Sequence, residues 1–299
     1  FALQLELAGQ ANLPPHHIVL TDPRPIFVPG HRQSEAENEV IEKATEEMLR
    51  AKVIQPAPEN TPWSAPVVVI RKKSGEWRFC VDFRRLNEVT QRDVYPLPRI
   101  DDIVRRLQGA GYYTVFDAIS GYWQTPVAEQ DRIKTVFRTR KGVYIWNVLP
   151  MGLTNAPSAF QRNMDTILGS SIGDFCFVYL DDIIIFSKSW EDHLGHIDQV
   201  LAKLQQHRML IKLAKCKFAR SRLLFLGLIV DKEGTQPNPD LVSAVKNTPP
   251  PSNTRELRRF LSMLSYNKDH IPKLAARSAP LSILLRKNEP WRWEQPQVT

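Results

Sequence analysis

The chain has 299 residues, 42% apolar and 24% charged, with a formal net charge of +8; this composition excludes a disordered, collagen-like or disulfide-rich chain, and no apolar run approaches the ~18 residues of a membrane span. The charge is uneven, because residues 203–299 hold 18 Lys/Arg against 7 Asp/Glu, a surplus of +11, while residues 1–202 sum to −3. A basic final third on a slightly acidic body suits a polyanion grip, although charge alone is equally compatible with a merely soluble basic surface.

Residues 1–33 carry scattered prolines without a period and are expected as an extended lead-in. They begin at Phe1 without a Met and carry no secretory signal, so the chain is expected to be a piece of a longer polypeptide. Ser34-x-x-Glu37 forms a capping box that opens a helix, with Val40, Ile41, Ala44 and Met48 at helical spacing and Pro56 and Pro58 beyond it. Its glutamates read as a solvated face. Residues 65–71 and 77–83 read as two strands joined by the turn Lys72-Lys73-Ser74-Gly75, a hairpin with a basic tip. Cys80, Cys176 and Cys216 form no CxxC motif and are expected as reduced thiols.

Pro96 and Pro98 precede a helix near 100–107. A strand over 113–116 ends at Asp117, and a helix is expected after Ser120-Gly121. Residues 134–139 and 142–149 suggest another hairpin, and 156–168 a helix. Two apolar strands, 175–180 and 183–187, are divided by Asp181-Asp182. An amphipathic helix is expected over 190–207, with Leu194, Ile197, Val200, Leu201 and Leu204 on its apolar face. His193 and His196 are too isolated for a metal site and read as part of its solvated face. Residues 223–230 read as one strand and 231–239 as a turn-rich loop. Pro249-Pro250-Pro251 suggests a hinge, and helices are expected over 254–264 and 271–285. The mixture is α+β with a basic helical end.

The local signal of most chemical interest is Tyr179-Leu180-Asp181-Asp182. Adjacent ionised carboxylates at a hairpin tip repel each other unless a cation neutralises them, and hard oxygen ligands suit Mg²⁺. An ordinary acidic turn explains a bare Asp pair equally well. A third carboxylate, Asp117, also ends an apolar strand. If the two strands share a sheet, the three could hold two metals for in-line nucleotidyl transfer.

These residues resemble the reverse transcriptase of gypsy-type LTR retrotransposons. The match runs from about His17 to Trp293 and includes, in order, residues 61–68 (TPWSAPVV), 77–87 (WRFCVDFRRLN), 116–124 (FDAISGYWQ), 134–139 (KTVFRT), 149–161 (LPMGLTNAPSAFQ), 179–182 (YLDD) and 225–227 (FLG). Each piece is weak alone; their common order is specific.

The resemblance implies a right-hand polymerase of fingers, palm with an antiparallel sheet, and helical thumb. Residues 1–33 would be the lead-in and 34–112 the fingers with the palm entry. Residues 113–222 would form the palm, interrupted by a fingers segment at about 125–155, and 223–299 the primer grip, thumb and start of a connection. Asp117, Asp181 and Asp182 match the catalytic carboxylates. With the Ala118 carbonyl they would hold two Mg²⁺ or Mn²⁺ ions. Lys72, Lys73 and Arg78 match residues that meet the incoming dNTP triphosphate. Tyr122 matches a gate against the ribose 2′-hydroxyl. Met151 stands where retroviral relatives usually carry Gln, near the nucleotide.

Phe225, Leu226 and Gly227 match the primer grip. Arg255, Arg258 and Arg259 match a thumb helix lying along the duplex, and Asn267 departs from a second aromatic common in relatives. The implied partners are an RNA/DNA hybrid or primer–template duplex, dNTPs, and the RNase H and integrase portions of a parent polyprotein. No membrane is implied, the state would be monomer or homodimer, and the place a cytoplasmic virus-like particle. The activity implied is RNA-directed DNA polymerisation. The competing reading is a domesticated, catalytically silent nucleic-acid-binding descendant.

Overall fold

In the computed structural model, which describes residues 11–71, 75, 77–118, 121–287 and 289–293, the first helix follows directly from its cap. In α1 (Glu35–Arg50) the Ser34 hydroxyl accepts from the Glu37 N–H, and the Glu37 carboxylate accepts from the Ser34 N–H. Two otherwise orphaned donors are satisfied. Ile41, Thr45 and Met48 form its buried stripe. The chain continues through β1 (Ile54–Pro56), β2 (Ala65–Arg71), β3 (Trp77–Val81), α2 (Arg84–Val89), α3 (Ile100–Leu107) and β4 (Tyr112–Asp117). Next come α4 (Glu129–Arg132), β5 (Phe137–Arg138), β6 (Val143–Trp146), α5 (Ala156–Leu168), β7 (Cys176–Tyr179), β8 (Asp182–Ser187), α6 (Trp190–Gln206) and β9 (Lys217–Arg220). The last elements are β10 (Arg222–Phe225), β11 (Leu228–Asp231), β12 (Gly234–Pro237), α7 (Pro239–Lys246), α8 (Thr254–Tyr266) and α9 (Leu274–Ile283).

These elements form two compact units. One comprises the chain up to Ile103 with Gly111–Arg220; the other comprises Val104–Ala110 with the chain from Ser221 onward. The first unit holds two sheets. One has the order β1-β6-β5-β2-β3, antiparallel except for the β2–β5 pair. The other is antiparallel throughout, in the order β7-β8-β4-β9. Each sheet backs onto its own core: Val67, Phe83, Phe137, Trp146 and Leu149 for the first, and Phe116, Phe160, Met164, Val178, Ile183 and Val200 for the second. Each such side chain contributes about 1.5–3 kcal/mol by leaving water. Tyr122 packs against both cores. Ile183, Ile184 and Ile185 are all buried, so β8 carries both faces inside and no alternation survives in its sequence.

The second unit is built on the antiparallel sheet β10-β11-β12. In α8, Asn253 caps the start by accepting from the N–H groups of Arg255 and Glu256, and the wholly buried Leu257 meets Leu281 and Leu284.

Several expectations need correction. Residues 223–230 are two strands around a tight turn, and the turn-rich loop after them contains a third. Only a 3-10 turn, Gly121–Gln124, follows Asp117 where a helix is expected. In α6, Leu194 is 49% exposed and His193 takes the inward position. The inward side is therefore His193, Ile197, Val200 and Leu204, and sequence hydrophobicity alone mis-set its edge by one residue. His193 is not solvated: it is fully buried, with Nε2 2.8 Å from Thr114 Oγ1 and Nδ1 2.8 Å from Ser187 Oγ. His196 also meets Ser187 Oγ and stacks on Phe175. These are satisfied core histidines.

Candidate active site

The sheet brings the carboxylates together. Strands β4 and β8 pair so that Asp117 lies directly opposite Asp182. Tyr179 pairs with Asp182 across the β7–β8 hairpin, leaving Leu180-Asp181 as its two-residue turn. Leu180 has φ 54°, a left-handed value that a leucine rarely adopts. The turn is fixed from the side, since the Ala118 N–H donates to the Asp181 carbonyl at 2.9 Å.

The electrostatics are those of crowded acid groups. Burial, then the charges of Asp117 and Asp182, pushes the Asp181 carboxyl up to about 6, against relief from Lys215 and Arg78. Asp182 is raised by burial and by Asp117. Asp181 Oδ1 is buried and makes no hydrogen bond among the described residues, a costly state for a charged oxygen. The nearest counter-charge is Lys215, whose ammonium donates to Asp117 Oδ2 at 2.8 Å. Among the described residues no three His, Cys, Asp or Glu side chains are already gathered as a metal cage. The donor set nonetheless fits a hard divalent cation: all three candidates are carboxylates, and one keeps an oxygen free of hydrogen bonds.

Two neighbours shape this centre. A Cβ on Gly121 would lie 2.8 Å from Phe160 Cε2 and 3.0 Å from Asp181 Oδ1, so the backbone passes where no side chain fits. Tyr122 follows, half-buried, its ring edge-on to Phe160 at 5.7 Å. Burial and the charge of Asp181 push its hydroxyl up to about 12. A rigid neutral ring therefore stands beside the carboxylates.

The structure also joins two expected nucleotide contacts. Arg78 Nη2 donates to Met151 Sδ at 3.2 Å. The loop carrying Met151 is held by Asn87, which donates to the Gly152 carbonyl at 2.8 Å and accepts from the Thr154 N–H at 2.9 Å. Gly152, at φ 96°, makes the turn possible. Arg78 is exposed and meets a thioether, a weak acceptor that leaves its planar fork available for oxygen ligands. Lys72 and Lys73 lie outside the described residues.

In the second unit, Phe225 pairs with Leu228, and Leu226-Gly227 form the turn. Their φ values of 47° and 72° are those of a type I′ hairpin. Arg255, Arg258 and Arg259 are exposed on α8, with Arg255 and Arg259 turned away from the buried Leu257.

Two further residues carry the site without appearing among the expected ones. Lys215 comes to Asp117 because the segment before it is clamped: buried Gln124 bonds both the N–H and the carbonyl of Leu210, and the Lys212 N–H donates to the Asp117 carbonyl. The 98-residue separation hides that pairing, and only the run of lysines at 212, 215 and 217 hints at it. Gly121 lies in the quoted motif, but its steric role needs Phe160, far along the chain.

A family profile described as "Reverse transcriptase (RNA-dependent DNA polymerase)" matches residues 70–230. The chain belongs to this reverse transcriptase family. The matched stretch contains all three carboxylates, Tyr122, Met151 and the 225–227 turn. The resemblance to gypsy-type elements is borne out. The chain is 40% identical to the Retrovirus-related Pol polyprotein from transposon opus of Drosophila melanogaster over 82% of its length, and 36% identical to that from transposon gypsy over 89%. It is also 36% identical, over 92% of its length, to the enzymatic polyprotein of Cauliflower mosaic virus. It spans 41% of that viral polyprotein, 25% of opus Pol and 26% of gypsy Pol. The right-hand polymerase fold is likewise borne out. The foamy viral protease-reverse transcriptase solved with double-stranded DNA superposes with a TM-score of 0.88 at 21% identity, over 98% of this chain and 51% of that one. The form solved with an RNA/DNA hybrid gives 0.83 at 20% identity, over 98% and 39%.

Proposed function

We propose that this reverse transcriptase domain extends a primer 3′-hydroxyl with dNTPs on an RNA or DNA template, as part of a retrotransposon-type polyprotein. The observation that carries the reading is the register-opposed pair Asp117–Asp182 beside an Asp181 oxygen without a hydrogen-bond partner. Asp117, Asp181, Asp182 and the Ala118 carbonyl would hold two Mg²⁺ or Mn²⁺ ions, which supply Lewis-acid activation of the hydroxyl and neutralise phosphate charge. The chain's own residues do the rest. Arg78 binds triphosphate oxygens through its fork, with Lys72 and Lys73 as further cations. Tyr122 excludes a ribose 2′-hydroxyl by bulk. Met151 supplies an apolar wall where a polar contact is absent. Phe225, Leu226 and Gly227 hold the primer strand, and Arg255, Arg258 and Arg259 meet phosphates without reading sequence.

Duplex DNA and RNA/DNA hybrid, the ligands of the solved foamy viral enzymes, are the proposed partners, together with the remaining domains of the polyprotein. A catalytically silent descendant is disfavoured, because all three carboxylates are present. Primer extension with oligo(dT) on poly(rA), in Mg²⁺ or Mn²⁺, tests the reading. Wild-type protein extends, and Asp181→Asn loses more than about 100-fold while keeping duplex affinity. Equal loss of binding and extension, or no extension by wild type alongside tight binding, overturns it.

A further inference from the structure

The turn Leu226-Gly227 is not held by its own strands alone. The Tyr266 hydroxyl, at the last residue of α8, donates to the Leu226 carbonyl. Its ring lies against Gly227 so closely that a Cβ there would come 2.9 Å from the hydroxyl oxygen and 3.1 Å from Cε1. A second tie joins the same segment to the same sheet. His270 Nε2 lies 3.0 Å from the Thr235 carbonyl and 3.3 Å from its hydroxyl. A carbonyl only accepts, so Nε2 carries the proton. Thr235 pairs with Val230 across β11–β12, while Leu228 of β11 pairs with Phe225 at the turn. The end of α8 and the turn after it therefore grip this sheet at two places, one of them the backbone of the turn itself.

The local chemistry explains why a grip is needed. Leucine at φ 47° costs roughly 1 kcal/mol relative to extended backbone, so the turn is not self-sustaining. A hydrogen bond to the carbonyl of the strained residue fixes the orientation of the peptide plane between Leu226 and Gly227.

We propose that Tyr266 is a positioning residue for the primer strand. Through the Leu226 carbonyl and the Gly227 contact it sets the turn that meets the primer 3′ end, with His270 as the weaker second tie. This rests on the reading of Phe225-Leu226-Gly227 as the primer-holding turn. Tyr266 then acts on the reaction through the protein backbone.

Tyr266→Phe removes the hydroxyl and keeps the ring. Its effect is read by steady-state incorporation, by duplex affinity, and by the fluorescence of 2-aminopurine at the primer 3′ terminus, which needs no turnover. We expect kcat to fall roughly 3- to 10-fold, the worth of one hydrogen bond. The dNTP KM and the duplex Kd should stay within about twofold, and the terminal 2-aminopurine should brighten as the primer end loosens. His270→Ala should move the same readouts in the same direction by less. Thermal melting confirms that each variant is folded. Unchanged kcat and fluorescence in Tyr266→Phe overturn the proposal, as does a loss of duplex affinity with an unchanged primer end, which would mean direct contact with the duplex. Gly227→Ala separates the two readings: if it disturbs the primer end and Tyr266→Phe does not, the tie is wrong and the turn assignment stands; if neither does, both fall.

Discussion

Two hairpin turns in this chain share a backbone and differ in everything hung on it. Both β7–β8 and β10–β11 close through two residues, and both force a leucine to positive φ, Leu180 at 54° and Leu226 at 47°. The first turn continues with Asp181, whose carbonyl accepts from the Ala118 N–H of the neighbouring strand, so the sheet itself fixes it. The second continues with Gly227, and a tyrosine from a helix fixes it. One displays a buried charge, the other displays bare backbone. A strained turn can therefore be kept by two different neighbours, and the neighbour chosen decides which chemical group the turn can present.

The contrast can be broken or sharpened at several positions. The largest effect is on Asp181→Asn. Besides losing extension, this variant should be more stable than wild type in chelator, because it removes an ionised carboxylate raised by burial and two like charges. Allowing for solvent screening, the gain is about 1 kcal/mol, or about 2–4 °C in melting temperature. A lower melting temperature would show that the acid cluster is no liability. Next, Gly121→Ala should cost about 1–3 kcal/mol and depress extension, since its Cβ must push Phe160 or Asp181 aside; denaturant melts in urea measure the loss. Tyr122→Ala should then raise rNTP use relative to dNTP use by about 10-fold, consistent with the roughly 1–3 kcal/mol that a steric wall in a pocket discriminates. An unchanged ratio removes the gate assignment.

The smallest effect concerns His193. Burial, and then His196, holds it below the ordinary histidine range. The native state thus binds fewer protons than the unfolded chain. Stability is full above about pH 6.5 and falls as pH drops toward the native value. Melting curves between pH 7.5 and 5 should show this decline, and His193→Gln should flatten it.

Much of the first turn was legible in sequence and little of the second. Apolar strands bracketing Asp181-Asp182, and another ending at Asp117, announce carboxylates at strand ends, and the register then sets Asp117 against Asp182. The capping box of α1 was equally plain, because its signal is local. Residues 223–230 hide their turn, since Leu226 continues an apolar run and only Gly227 interrupts it. Lys215, His193 and Gly121 owe their roles to residues distant in sequence, so no local pattern marks them. The hairpin expected at 134–149 shortened to β5 and β6, with a 3-10 turn taking Ile133–Thr135.

The leucine at position 180 has a consequence for how the chain acquires its shape. Hairpins that nucleate at their turns use residues such as Asn-Gly, which favour positive φ in the unfolded chain. Leu180-Asp181 resists that geometry. The strands on either side must therefore meet before the turn settles, and the N–H that secures it arrives from Ala118, more than sixty residues earlier. Assembly of the carboxylate sheet is in this sense a non-local event, of the kind that slows folding. The residues that gather the three acids complete their arrangement together with β4, so repulsion among them arises only when the sheet around them is already in place.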